Sequence, residues 1–436
     1  MRFSRRTEWD TEESELARAY RQRREAGLPI ADLTASNPTR CGFAYPEELL
    51  EPLTDPAALE YEPDPRGSHA AREAVCAYYA SHGAKVLPQQ MLLTTSTSEA
   101  YGYLFKVLCD PGDAVLVPQP SYPLFEFLAD GEVVRVDFAP LVYDHGWQLD
   151  LEGLRRAVTP ETRAVIVVHP NNPTGHFMKL EEALGLAEVC REFGLALIVD
   201  EVFLDYGLEF PSGAKAPSSS DDSMARLKPR PFKADEPEER YGRSLHSSSD
   251  AMGSFIGLDL GILVFVVSGI SKICGLPQMK VAWLVATGPG SEEALERLDV
   301  VADTYLSMNA PVQQALPGWL AGRAGIEGQI RERVRGNLAE LDQQLARLLA
   351  ERGDVLVNRL IVEGGWYAVL RIPAIQPDEM TVRELLAEGV WVHPGYFFGM
   401  GRSGWLVVSL LAKAEDFSTG VVKLLAYMQR NQESYL

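Results

Sequence analysis

One lysine in this chain stands where a charge is costly. Lys272 follows the apolar run 262–267 in the stretch VVSGISKICGLPQMKVAW, between a small polar turn and a Gly-Leu-Pro corner. A charged side chain is kept out of such a place unless it has a covalent or ionic role there. An amine becomes a nucleophile and a proton carrier once burial or a neighbouring charge brings it below its ordinary pKa of about 10.4. The bland alternative is a lysine that snorkels to the surface after a strand. Asp200 ends the apolar run of IVDEVF, where its carboxylate either serves chemistry or caps a helix. Asn172 lies in HPNNPTG, a turn that an Asn-Pro dipeptide favours on its own.

Those residues need elements to hold them. From about residue 65 to 300, near-continuous Val/Ile/Leu runs (AVLVPQP, AVIVVHP, LALIVDEVF, ILVFVVSG) alternate with helical stretches such as SEAYGYLFKVL and KLEEALGLAEVCREFG. That alternation predicts an α/β fold whose mostly parallel sheet is covered by helices on both faces. Chemistry in such sheets sits beyond the carboxyl ends of the strands. Each run here does end in a polar or turn-forming cluster: PQPSYP, HPNNPTG, DEVF and SGISK. After about residue 300 a long helical stretch, 312–352, leads to LIVEGGWYAVLRIP, GVWVHPGYFFG and GWLVVSLL, which predict a smaller α+β domain. We therefore expect an N-terminal helix and arm over 1–45 joining the small domain, a large domain over 46–300, and a small C-terminal domain over 301–436. Residues 211–250, rich in Ser, Pro and charge, read as a surface insertion of disordered character.

Composition narrows the partners. The 436 residues carry 61 acidic against 41 basic side chains, a formal charge of −20. That balance argues against nucleic acid or an anionic membrane as a partner. No apolar stretch is long enough to span a bilayer, and MRFSRRTEWDTEESE lacks the apolar core of a signal peptide. The cysteines at 41, 76, 109, 190 and 274 are scattered without a C-x-x-C pair, which fits free thiols in a reducing cytoplasm. The pattern calls for no metal.

In their order along the chain the motifs resemble those of the class I/II aminotransferases, fold type I enzymes that use pyridoxal 5′-phosphate. The resemblance runs from about residue 33 to 411 and rests on several motifs at once. SGISKICGLP resembles the cofactor-lysine segment, which implies that Lys272 forms the Schiff base and that Ser268, with Ser271, reaches the phosphate. HPNNPTG resembles the turn whose asparagine, here Asn172, bonds the phenolic oxygen. In IVDEVF the match is Asp200, the acid that keeps the pyridine nitrogen protonated so that the ring accepts electrons. TTSTSEAY corresponds to the phosphate cup, implying Ser96, Thr97 and Ser98 at a helix N-terminus. PQPSYPLF puts Tyr122 at the ring-stacking position. YEPDPRG puts Tyr61 where the family reaches the phosphate of a neighbouring subunit, so a homodimer with shared sites is implied. The implied activity moves an amino group between an amino donor and a keto acid.

Three positions depart from that pattern. Lys280 stands where the family has a phosphate-binding arginine, keeping the charge but losing the bidentate fork. Phe203 replaces a tyrosine that donates to the phenolic oxygen. Val407, in GWLVVSLL, replaces the arginine that grips the substrate α-carboxylate, and losing such a pair from a closed site costs about 2–5 kcal/mol. A substitute cation is expected. Arg40, beside Asn37 in SNPTRCG, is the first candidate, followed by Arg402 and Lys413. Trp366 and Tyr367 either line the substrate side or pack the small-domain core. Two other readings stay open at this level: a lyase or decarboxylase using the same cofactor, and a non-catalytic sensor on the same fold.

Overall fold

The alternating apolar runs become strands buried from two sides. The computed structural model describes residues 2–208, 252–306, 308–353 and 355–433. The stretch 211–250, expected as a surface insertion, lies outside the described residues. In chain order the first strands are β1 (Ala31–Asp32), β2 (Met91–Thr94), β3 (Ala114–Gln119), β4 (Arg135–Tyr143) and β5 (Trp147–Leu149). Next come β6 (Thr162–Val168), β7 (Ala196–Asp200), β8 (Val264–Gly269) and β9 (Ala282–Thr287). The last are β10 (Asn358–Arg359), β11 (Tyr367–Arg371), β12 (Val390–Trp391), β13 (His393–Pro394) and β14 (Trp405–Ser409).

Eight strands make the large sheet, in the order β2-β9-β8-β7-β6-β3-β4-β5. It is parallel from β8 through β7, β6 and β3 to β4, whereas β9 runs antiparallel to β8 and β2, and β5 antiparallel to β4. Strand side chains alternate between faces, and β8 shows the result. Val264 and Val266 join a cluster with Tyr79, Leu186 and Trp283 on one face. Phe265 and Val267 join Tyr101, Phe105 and Leu298 on the other. Both faces are thus covered by apolar packing, which is why the runs lack polar alternation.

Register decides what meets at the sheet's edge. Val168 lies opposite Asp200, Asp200 opposite Val267, Gly269 opposite Ala282, and Ala282 opposite Thr94. The residues that follow Thr94, Val168, Asp200 and Gly269 therefore leave the sheet at one edge. The sequence clusters TTSTSEAY, HPNNPTG, DEVF and SGISK are brought together by this pairing.

A second, antiparallel sheet has the order β10-β11-β14-β13. Its core includes Trp366, Val369, Leu406 and Val408, packed with residues of the helices Ala324–Arg352 and Ala414–Glu433 such as Val334, Leu341 and Phe417. The N-terminal arm is tied to it. β1 pairs with β12, and the Ser409 N–H donates to the Leu33 carbonyl at 2.7 Å. Among the described residues no helix is long and apolar enough to cross a membrane.

Candidate active site

Lys272 sits in the one-turn helix Ile270–Ile273 directly after β8. Gly269 permits that exit, because a Cβ there would lie 2.9 Å from the Val281 carbonyl oxygen. The backbone of Lys272 is held from two directions: its carbonyl accepts from the Tyr206 hydroxyl at 2.7 Å and from the Gly275 N–H at 3.2 Å. Its Nζ lies 4.9 Å from the centre of the Trp366 ring and 5.6 Å from that of Phe203. Such faces favour a cation, but desolvation outweighs them. Burial brings the amine down to about 8 against the opposing pull of the Asp200 charge, so about a tenth of it is neutral at pH 7, far more than for a lysine of ordinary pKa about 10.4.

Asp200 closes β7. Its Oδ1 accepts from the Val202 N–H at 3.1 Å and its Oδ2 from the Tyr101 hydroxyl at 3.1 Å. Burial pushes the carboxyl up to about 6, with both hydrogen bonds and Lys272 opposing. The next residue, Glu201, is a different case. It accepts from the Ser254 hydroxyl at 2.8 Å and the Phe255 N–H at 2.7 Å, one bond on each oxygen, while burial pushes it up to about 7 against both bonds.

Around this pair stand polar atoms that the protein itself does not use. Asn172 Oδ1 and Ser268 Oγ are buried without a hydrogen-bond partner. Leaving such groups unmatched costs about 1–3 kcal/mol each, so their presence asks for a polar ligand. Ser96 caps the helix Thr97–Leu108, its Oγ accepting from the Glu99 N–H at 3.1 Å, with Thr97 and Ser98 in the first turn. The free N–H groups of such a turn suit a phosphate. The Tyr122 ring is 44 % exposed and stands perpendicular to Phe125. Burial of its hydroxyl, aided by the charge of Asp200, raises its pKa. Lys280 is exposed in a left-handed conformation, φ 56°, and Tyr61 is 71 % exposed. An acid, an amine of lowered pKa, two unmatched polar atoms and a helix start together fit an aldehyde cofactor with a basic ring nitrogen and a phosphate.

The substrate candidates divide. Asn37 caps the turn Pro38–Arg40, its Oδ1 accepting from Thr39, and both Asn37 and Arg40 are exposed. Arg40 and Lys413 line one cavity of about 370 Å³ together with Ser36, Asn37, Asp32 and Asp416. Arg402 is not among its lining residues. It lies on the exposed turn before β14, where its carbonyl accepts from the Asp378 N–H at 2.8 Å. Trp366 is fully buried, with its ring 5.3 Å from Phe203 and 5.0 Å from Tyr206, so core packing and proximity to Lys272 coexist in one side chain. Val407 is completely buried, level with Val369 on one side and His393 on the other. Burial lowers that imidazole to about 4, so it is uncharged.

Tyr101 and Tyr206 escaped the sequence reading. Tyr101 lies on the buried face of its helix with Ala100, Leu104 and Phe105. A tyrosine on such a face requires a partner for its hydroxyl, and that requirement was the available clue.

Comparison with known proteins fits this geometry. The family described as "Aminotransferase class I and II" matches residues 47–417. The glutamate-pyruvate aminotransferase AlaA of Escherichia coli is 25% identical over 419 residues, spanning 93% of this chain and 91% of that protein. The aspartate/prephenate aminotransferase of Thermus thermophilus is 35% identical over 401 residues, 88% of this chain and 87% of its own. Among solved structures, an alanine aminotransferase from Pyrococcus furiosus superposes with a TM-score of 0.79 at 21% identity, covering 98% of this chain and all of the other.

Proposed function

The chain belongs to the class I and II aminotransferases and is a pyridoxal-phosphate-dependent transaminase; from that premise we propose the residues that do the work and the class of substrate. The proposal rests on one observation: Lys272 and Asp200 emerge at the same sheet edge, beside the unmatched Asn172 and Ser268. When bound, pyridoxal phosphate supplies an aldehyde that takes up amines and a ring that accepts the electron pair left by a departing α-proton.

Lys272 holds and moves that proton at Nζ. Its pKa of about 8 suits it to act as base and then as acid near neutral pH. Asp200, oriented by Tyr101 and Val202, presents its negative charge to the ring nitrogen. Asn172 serves the phenolic oxygen; Ser268, Ser96, Thr97, Ser98 and Lys280 serve the phosphate, and Tyr122 gives the ring a platform. Tyr61 reaches a second copy of the chain. Supporting a homodimer, Leu59 and Tyr61 stand out at 91% and 71% exposure, with Val300, Tyr305 and Leu306 also uncovered.

The substrates in this reading are an amino acid and a keto acid, as the names of the relatives suggest. Arg40 and Lys413, facing one cavity with Ser36 and Asn37, supply the carboxylate grip absent at Val407. The division into an arm over 1–45, a cofactor-binding unit over 46–300 and a small unit over 301–436 belongs to the same proposal. So does a cytoplasmic setting, which the free cysteines suit.

A donor panel tests the reading. Purified enzyme with each amino acid and a keto acid should yield one new keto acid per new amino acid, and Lys272→Ala should yield neither. Ammonia, CO₂ or a cleaved side chain in place of that stoichiometry would mean a lyase or decarboxylase instead.

A further inference from the structure

The turn that carries Asn172 is closed on itself and then fastened to a distant part of the chain. The Asn171 N–H donates to the His176 carbonyl at 2.8 Å, and the Gly175 N–H donates to the Asn171 carbonyl at 2.8 Å. Thr174 Oγ1 donates to Asn171 Oδ1 at 2.7 Å. Asn172 is thus the tip of a small loop whose closing residue is His176. Beyond the loop, the Gly175 carbonyl accepts from the Glu363 N–H at 3.1 Å. Gly175 has φ +70°, and a Cβ on it would lie 2.6 Å from the Gly364 carbonyl oxygen, so the two segments meet backbone to backbone.

His176 sits at that junction with only 4% of its side chain exposed. Its Nε2 lies 3.1 Å from the Glu182 carboxylate, in the helix Leu180–Phe193. Its Nδ1 lies 3.4 Å from Glu363 Oε2, an ion-pair contact too bent for a hydrogen bond. Glu182 also accepts from the Leu149 and Lys179 N–H groups, each at 2.9 Å. Glu363 accepts from the Phe177 N–H at 2.9 Å and pairs with the Lys179 ammonium.

Among the described residues the charged and titratable groups facing His176 are therefore Glu182, Glu363, Lys179 and the ring of His169. Burial holds His169 neutral, at about 4. With a neutral His176, two carboxylates share one ammonium. With an imidazolium the cluster balances. Burial alone would lower His176, but Glu182 and Glu363 outweigh it and raise it overall.

We propose that His176 is the positioning residue of the Asn172 turn, its imidazolium tying Glu182 of the large α/β unit to Glu363 of the segment that leads into β11. Deprotonation loosens the loop end and releases Asn172 from its fixed place. This rests on the reading of Asn172 as a cofactor contact. The sign follows from the raised pKa: the tie is complete below the ordinary histidine value of about 6.5 and is lost as pH rises through the raised one.

The test compares holoenzymes of wild type, His176→Gln, Glu363→Gln and Asn172→Ala by amide hydrogen exchange and by the visible band of the bound cofactor. After correction for intrinsic rates, protection of the Gly175 and Phe177 amides in wild type should fall about tenfold between pH 6 and 9. In His176→Gln it should be low at both values, with Glu363→Gln close to it. The pH midpoint of the visible band in His176→Gln should move in the same direction as in Asn172→Ala, by less. Equal protection in wild type and His176→Gln at pH 6 overturns the proposal. So does a band unmoved in His176→Gln but moved in Asn172→Ala. A band unmoved in Asn172→Ala overturns the reading of Asn172 instead, and the exchange rates then decide the tie by themselves.

Discussion

Tyr101 donates its hydroxyl to Asp200 at 3.1 Å, joining the helix that begins at the phosphate-cup sequence to the acid that ends β7. The bond favours the ionised carboxylate against a burial that pushes it up to about 6. Tyr101→Phe removes one of two donors, and a hydrogen bond to a charged group contributes about 1.5–3 kcal/mol. The acid limb of the kcat profile should move to higher pH, with kcat near neutrality reduced about tenfold. An unmoved limb in a folded variant would show that Asp200 does not depend on this donor.

Lys272 gives a second pH dependence. Condensation with an aldehyde requires the neutral amine, and burial sets its pKa at about 8 while Asp200 pulls the other way. The rate of pyridoxal phosphate uptake by the cofactor-free protein should therefore rise with pH to a plateau above about 8. Asp200→Asn removes the opposing charge and should shift the midpoint lower. Stopped-flow absorbance measures both; a midpoint near the ordinary lysine value, or one indifferent to Asp200→Asn, contradicts the argument.

Phe203 is buried, with its ring 5.3 Å from Trp366 and 5.6 Å from Lys272 Nζ. Phe203→Tyr adds a hydroxyl at the place where the family carries a donor to the phenolic oxygen. The pH midpoint of the bound cofactor's visible band should fall, because that donor stabilises the phenolate. A fall in melting temperature with no spectral change would mean that the hydroxyl is buried without a partner.

Arg40 and Lys413 share one cavity. Both are exposed, so each single alanine variant should cost about 1 kcal/mol or less of substrate binding. The expected result is a KM for the carboxylate donor raised several-fold at nearly constant kcat, and raised further in the double variant. A KM unchanged in the double variant for every donor would remove this pair as the carboxylate grip.

Much of the fold could be read before any coordinates, and for a local reason. A strand buried on both faces must be apolar throughout, so β6, β7 and β8 announce themselves as Val/Ile/Leu runs. The polar residues that follow them stand out because nothing structural explains so many. The small sheet was equally visible in LIVEGGWYAVLRIP and GWLVVSLL, which became β11 and β14. The 3.6-residue period does not say where a helix face will lie. Only packing sets the Tyr101 hydroxyl against Asp200.

The line between chain and tertiary structure falls between residue types and their partners. Types and local order were already in the primary structure: an amine after an apolar strand in SGISK, a carboxylate ending IVDEVF, an asparagine in a turn, and a valine at 407. Partners were not, because they depend on strand register and helix packing across long separations. Tyr101 and Asp200 are 99 residues apart, and Lys179 and Glu363 are 184 apart. No local pattern encodes such a meeting. The pairing of Asp200 with Val267 and of Gly269 with Ala282 brings Lys272 to the acid. The backbone contact of Gly175 with Glu363 puts His176 between two carboxylates. Burial then set the protonation of each group, since desolvation exists only once the chain has closed around it.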